Sequence, residues 1–257
     1  MLRSRVIPCL LIQNGGLVKT TQFKDPKYVG DPINAVRIFN EKEVDELIVV
    51  DIDATVKKQE PNYRLIENLA AECRMPLCYG GGVKTSEQAQ RIIGLGVEKV
   101  AMSSSLIEHP SLAGEISEAI GSQSVVLVLD VRRSLLGKYS VCVHNGRRNT
   151  RQDPFEVAAS VEKFGIGEVV VNSIDNDGRM MGFDVQLAEK MRAAVGVPMT
   201  VLGGAGSIQD IRGLIDRFGV VGAAAGSLFV FKGKYRAVLI NYPGVVERIP
   251  VPASRAA

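Results

Sequence analysis

The chain has 257 residues, of which 46% are hydrophobic and 23% charged, with a formal net charge of +3 at pH 7. These values suit a soluble globular protein large enough to bury a substantial core, and they give no case for a nucleic-acid or membrane partner. Arg and Lys are scattered along the chain, as on an ordinary solvated surface.

In chain order, short apolar runs alternate with amphipathic stretches. The runs Val6–Leu11, Leu47–Val50, Leu77–Tyr79, Val100–Met102, Val125–Leu129, Val169–Val171, Met199–Leu202 and Val220–Ala225 read as buried parallel strands. Asp31-Pro32 opens the first helix, with an N-cap followed by Pro at the first helical position. Ala89, Ile92 and Ile93 form one helical stripe, and Ile211, Leu214 and Ile215 another. After the fifth run, Lys138–His144 alternates and then reaches Asn145-Gly146, which predicts a β-hairpin over about 138–148 laid over one end of the fold. Eight strands alternating with helices predict a single α/β domain over residues 1–257, a closed (β/α)8 TIM barrel. An open doubly wound sheet is the alternative. It usually carries GxGxxG after its first strand, where this chain has Gln13-Asn14-Gly15-Gly16.

Cys9, Cys73, Cys78 and Cys142 have neither CxxC spacing nor a nearby His, so no zinc site is expected. Cys9 sits in an apolar run and reads as a small core residue. Unpaired thiols with no signal peptide or long apolar span point to a cytoplasmic protein.

The most informative feature is a repeat with a spacing of about 120 residues, which divides the barrel into halves of about 1–120 and 121–240. Pro76-Leu77-Cys78-Tyr79-Gly80-Gly81-Gly82-Val83 resembles Pro198-Met199-Thr200-Val201-Leu202-Gly203-Gly204-Ala205. Val49-Val50-Asp51-Ile52-Asp53 resembles Val171-Asn172-Ser173-Ile174-Asp175, and Ser103-Ser104-Ser105-Leu106 resembles Ala225-Gly226-Ser227-Leu228. Glycines at a strand end let a ligand approach the backbone N–H groups, and a helix N-terminus beyond adds partial positive charge. Gly82 with Ser103 and Ser104 therefore predicts one phosphate cradle, and Gly204 with Gly226 and Ser227 a second on the opposite side. Such a pair suits a long ligand with a phosphate at each end, although each Gly-Gly alone could be a turn.

Over roughly residues 1–230 the chain resembles the cyclase subunit of imidazole glycerol phosphate synthase, the HisF family. The resemblance is carried by Arg5-Val6-Ile7-Pro8-Cys9-Leu10, Val18-Lys19, Gly30-Asp31-Pro32, Asp45-Glu46-Leu47, Gly80-Gly81-Gly82, Asn149-Thr150, Ser173-Ile174-Asp175-Asn176-Asp177-Gly178 and Gly203-Gly204-Ala205-Gly206. It implies a HisH-like glutaminase partner on the N-terminal face of the barrel, ammonia passing through the barrel, and a bis-phosphorylated ribonucleotide that is cleaved and cyclised, with no cofactor and no metal. It adds Gly178 to the phosphate-binding set, and it implies two acid–base carboxylates at the ends of strands one and five. Strand five supplies Asp130, but the strand-one position is Leu11, which cannot transfer a proton. Lys19 would lie on a mobile lid, the Gly15–Gly30 loop, with its ammonium reaching toward substrate. Asp51 and Asp177 would hold the polar middle of the ligand. Arg5, Glu46, Lys99 and Glu168 would ring the pore mouth as an ammonia gate, or would simply be salt bridges holding that face together.

The tail departs from the family's closing amphipathic helix, because Pro243 stops any helix early and 249–252 should be extended. Three functions follow from the resemblance. One is a working cyclase of histidine biosynthesis. The reading favoured by Leu11 and by the Val-Leu-Ile-Asn-Tyr-Pro tail is a paralogue that delivers ammonia for acetamidino modification of a sugar of a surface polysaccharide such as O-antigen. The third is a non-catalytic conduit that activates its glutaminase.

Overall fold

The computed structural model describes residues 3–243. Eight parallel strands run in barrel order: Arg5–Gln13, Leu47–Asp51, Leu77–Gly80, Lys99–Met102, Val125–Arg133, Glu168–Ser173, Met199–Leu202 and Gly222–Ala225. Each pairs with the next, and the first pairs with the eighth from Arg5↔Gly222 to Pro8↔Ala225, so the sheet closes without an edge. The TIM-barrel expectation is met and the open-sheet alternative falls. The helices α1 (Pro32–Glu41), α2 (Tyr63–Glu72), α3 (Ser86–Gly94), α4 (Ser104–Glu108), α5 (Leu112–Ile120), α6 (Pro154–Glu162), α7 (Val185–Ala194), α8 (Ile208–Phe218) and α9 (Ser227–Val230) follow the strands. Asp31 caps α1 by accepting from the Asn34 N–H, with Pro32 just inside, as its sequence predicts.

The apolar residues divide by strand periodicity. Outward positions such as Val49, Tyr79, Val100, Leu127 and Val171 join the helix stripes, including Ala89, Ile92, Ile211, Leu214 and Ile215, in one continuous layer. Inward positions form a second, smaller core of Ile7, Cys9, Ile48, Cys78, Ala101, Val126, Val170 and Ala224, capped by Leu11, Val50, Val128 and Leu202. Small side chains at Cys9, Cys78, Ala101 and Ala224 let eight strands converge on one axis. The inward series begins in charged residues at the N-terminal face and ends in polar ones at the C-terminal face, where the site lies.

Three expectations need correction. The Gly15–Gly30 segment is not an open loop: Gly16–Thr21 and Lys24–Gly30 form an antiparallel hairpin that continues strand one through Leu11↔Val18. Strand five does not end at Asp130. It runs on to Arg133 and pairs antiparallel with Tyr139–Val143, which pairs in turn with Arg148–Asn149. The insertion is therefore a three-stranded extension of strand five, with the His144–Arg147 turn at the Asn145-Gly146 signal. Strand eight begins at Gly222 rather than Val220.

The tail holds no helix between 234 and 243. Phe231–Lys232 pairs with Ala237–Val238, and the chain then turns down the barrel wall, where the Tyr242 hydroxyl donates to the Val6 carbonyl at 2.9 Å. The predicted extended stretch 249–252 lies outside the described residues. Among the described residues no helix is long and apolar enough to cross a membrane.

Candidate active site at the C-terminal mouth of the barrel

Strand periodicity brings Asp130 and Asn172 to the inner face as register neighbours, and the Asn172 amide Nδ2 donates to Asp130 Oδ1 at 2.9 Å. Burial pushes the Asp130 carboxyl up to about 7, opposed by the Asn172 bond and reinforced by the charge of Asp177. Its pKa thus lies where an acid–base group works best near neutrality. On the opposite side, Leu11 and Val50 are register neighbours in strands one and two. Both pack on the interior core. The halves that match in backbone thus differ in chemistry at this level.

Lys19 is drawn inward rather than held out on a lid. Its side chain is 6% exposed and its ammonium donates to the Cys9 carbonyl. A β-carbon on Gly226 would collide with that ammonium, so Lys19 stands beside a residue of the second predicted cradle. Burial lowers the Lys19 pKa, while Cys9 and Asp177 oppose the shift. The hairpin is docked through Thr20, whose hydroxyl donates to Asp177 Oδ2 at 3.1 Å, and through the Gln22 N–H to the Asp177 carbonyl at 3.0 Å. Asp177 therefore secures the hairpin as well as facing the site. Its carboxyl is raised by burial, against Lys19 and Thr20. Gly178 lies against the Thr20 carbonyl, where no side chain fits.

Asp51 ends strand two and turns its own loop, accepting from the Asp53 and Ala54 N–H groups at 2.9 and 3.1 Å. Burial raises its pKa as well, against those two hydrogen bonds. A cleft of about 500 Å³ opens beside it, lined by Asn14, Asp53, Lys57, Glu60 and Asn62 among others. None of its lining residues is Asp130 or Asn172, so it lies beside the pore axis rather than above it.

The residues of the two predicted cradles lie at the exits of neighbouring strands, three and four in one half and seven and eight in the other. In the first, the Ser103 hydroxyl is buried without a partner at the start of α4, while Ser104 Oγ accepts from the His144 N–H at 3.2 Å. The Gly82 N–H donates to Thr55 Oγ at 3.3 Å. In the second, Gly204 lies back to back with Gly182, whose N–H donates to the Gly204 carbonyl at 2.9 Å. Ser227 is buried at the first turn of α9. The longer helix α8 is closed to an anion, because Asp210 accepts from the Gly206 and Ser207 N–H groups in a capping box. The strand-five extension roofs the mouth: Asn145 donates to the Ile52 carbonyl, and Gly146 rests on Phe23 and Ile174.

At the other face the four predicted charges meet. Arg5 pairs with Glu46 and with Glu168 at 2.7 Å, and Lys99 reaches both glutamates at 2.9 Å. Burial would raise Glu168, but Arg5, Lys99 and the Thr200 hydroxyl outweigh it and hold the carboxylate below its usual range. Burial would likewise lower Lys99, and the two glutamates raise it. The charges below are therefore compensated, whereas the carboxyls above are under-compensated.

Asn172, Thr200 and Asn145 belong to these constellations and escaped the sequence reading. Asn172 had a visible signal, since it stands in the repeat where Val50 stands in the first half. Thr200 had one as well, since it stands in the repeat where inward-facing Cys78 stands, and Gly222 on the adjacent strand leaves room for its hydroxyl.

Comparison with known proteins identifies the family. The family model described as "Histidine biosynthesis protein" matches residues 5–236. A Pseudomonas aeruginosa PAO1 protein named "Putative imidazole glycerol phosphate synthase subunit hisF2" is 56% identical over 95% of this chain and 98% of its own. A Leptospira borgpetersenii protein named "Putative imidazole glycerol phosphate synthase subunit HisF" is 53% identical over 96% of this chain and 98% of its own. The "Imidazole glycerol phosphate synthase subunit HisF" of Alkaliphilus metalliredigens is 35% identical over 89% of this chain and 91% of its own.

Proposed function

This chain belongs to the histidine biosynthesis protein family, among its imidazole glycerol phosphate synthase HisF-type subunits, and we propose that it delivers ammonia from a glutaminase subunit to an acceptor other than the family's ribonucleotide. The single observation that carries the proposal is Leu11. Cyclisation moves protons on both sides of the ring being formed, and at the inward strand-end position opposite Asp130 this chain has Leu11, which carries no proton to transfer. Losing one acid–base partner typically costs about 10²–10⁴ in rate. The most fitting acceptor is a sugar undergoing acetamidino modification for a surface polysaccharide. Supporting this are Leu11 and the non-helical Val-Leu-Ile-Asn-Tyr-Pro tail.

In this reading the glutaminase docks on the face that carries Arg5, Glu46, Lys99 and Glu168, and this ring parts to admit ammonia. Ammonia then crosses the apolar interior and meets Asp130, which moves its proton. Lys19, Gly178, Gly204, Gly226 and Ser227 hold one phosphate, and Gly82, Ser103 and Ser104 the other. Asp51 and Asp177 face the centre of the ligand. A location in the cytoplasm accords with four free thiols.

The presence of both cradle sequences supports a second reading, a working cyclase that forms imidazole glycerol phosphate. One assay separates the two: turnover of the family's ribonucleotide with ammonium salt, by the protein as it stands and by Leu11→Asp. Turnover at ordinary cyclase rates without the substitution would overturn the first reading. Turnover that appears only with Leu11→Asp supports it. A pure conduit that only activates the glutaminase predicts no phosphate binding at either cradle.

A further inference from the structure

We propose that Asn172 and Asp130 form a receiving site for ammonia at the upper end of the barrel interior, where the Asn172 carbonyl oxygen and the Asp130 carboxyl accept its N–H groups. The inference rests on the reading that ammonia passes through the barrel.

The starting observation is an orphan. Asn172 is 5% exposed, its Nδ2 is taken by Asp130, and its Oδ1 has no hydrogen-bond partner. A buried acceptor left unmade costs about 1–3 kcal/mol, and such groups call for an explanation such as a ligand. Space is kept for one. Gly203 on the next strand end faces this oxygen, and a β-carbon there would stand 2.9 Å from it.

Position and charge then select the ligand. Below the pair, strands five and six line the interior with Val126, Val128 and Val170. A small neutral molecule rising past these side chains meets the Asn172 carbonyl and Asp130 together. The acceptors suit a donor of N–H bonds and repel an anion, so a phosphate oxygen is excluded here. Asp177 adds negative charge from the adjacent loop, and Lys19 faces Asp177 and Cys9. Cys142 is the register neighbour of Asp130 on the roof side. The opposite pair, Leu11 and Val50, offers no acceptor, so the site is single and lies on the side of the proton-transferring carboxyl.

The test uses the full chain and two-dimensional ¹H–¹⁵N NMR, with ammonium chloride as the probe and tetramethylammonium chloride at equal ionic strength as the control. The side-chain amide of Asn172 is identified by its loss in Asn172→Val, a residue that Val50 shows to fit the related position. Ammonium should shift this amide saturably, together with the Ser173 and Gly203 backbone amides, and tetramethylammonium should not, because it has no N–H. In Asn172→Val the backbone shifts should vanish. Asp130→Asn, which keeps the shape and removes the charge, should weaken them and serves as the second variant if Asn172→Val fails to fold. No saturable shift, an equal shift with tetramethylammonium, or undiminished shifts in the folded variants would overturn the site. If ammonium binds as expected while a reconstituted glutaminase complex releases its ammonia to bulk solvent, passage through the barrel falls and the receiving site stands. If ammonia passes but the titration is flat, only the receiving site falls.

Discussion

The ammonium of Lys19 occupies the space that a β-carbon on Gly226 would take, so one residue of the hairpin and one of strand eight's exit are mutually fitted. Gly226→Ala should push the lysine off the Cys9 carbonyl and weaken binding of inorganic phosphate. Lys19→Ala should do the same. Because both changes remove one arrangement, their combined effect should fall short of the sum by roughly 0.5–3 kcal/mol. A double-mutant cycle on phosphate affinity measures this, and strict additivity would show that the two residues act separately.

Asp130 should be a source of pH-dependent instability. Its folded pKa of about 7 lies above the unfolded carboxylate range, so the folded state holds the proton more tightly. Its cost is therefore absent at low pH and develops as pH rises from about 4 through 7. Asp130→Asn should raise the unfolding free energy at pH 8 by on the order of 2 kcal/mol, the full shift being discounted for a half-buried group, and by almost nothing at pH 4. Denaturant melts at the two pH values test the sign.

Leu11→Asp should restore an acid–base group at a cost in stability. Leu11 pairs in register with Val18 and Val50 and packs on the interior core. A carboxyl there loses apolar contact and is partly desolvated, which should destabilise the fold by about 1–3 kcal/mol. The same melts give the value, and an unchanged midpoint would mean that water already reaches this side of the mouth.

Glu168→Gln should loosen the N-terminal face. Glu168 accepts from Arg5 and Lys99 and from the Thr200 hydroxyl at 2.5 Å. Removing one member of a buried ionic network costs about 3–5 kcal/mol, because its partners remain charged and buried. The Glu168 pKa is depressed, so in the native protein this contribution is present above the unfolded glutamate range and lost as pH falls through the folded value. The difference in stability between Glu168→Gln and the native chain should accordingly shrink on acidification, as thermal unfolding from pH 7 to pH 3 will report.

Tyr242→Phe should detach the tail from the barrel without emptying its pocket. The ring packs on Phe229 at 5.3 Å, and the hydroxyl donates to the Val6 carbonyl at 2.9 Å and accepts from the Asp45 N–H at 3.4 Å. The expected loss is about 0.5–1.5 kcal/mol, or a fall in Tm of roughly 1–6 °C. A larger fall would mean that the tail braces strand one more broadly.

Much of this was legible beforehand because it depends on period and spacing. Inward and outward residues alternate along each strand, so the apolar runs from Val6 to Ala225 located all eight strands, and the 120-residue repeat matched Gly82 with Gly204 and Ser104 with Gly226. The hairpin around Lys19 was misread as a loop because its pattern is broken by Gln22 and Phe23, both in left-handed conformations at the turn. The extension of strand five past Asp130 was missed because Arg132 and Arg133 read as a strand's end. Their pairing partners lie beyond the exposed Leu135-Leu136 tip.

What the sequence by itself determined is the closed barrel, its membership in a family, and a leucine, Leu11, rather than a carboxylate at the end of strand one. These follow from residue type and order alone. Only the tertiary structure decided what the remaining carboxyl does. Asp130 is raised toward neutrality because closure of the barrel buries it beside Asn172 and within the field of Asp177, which are 42 and 47 positions further along the chain. Desolvation and hydrogen bonding depend on distance in space, and no spacing along the chain encodes them.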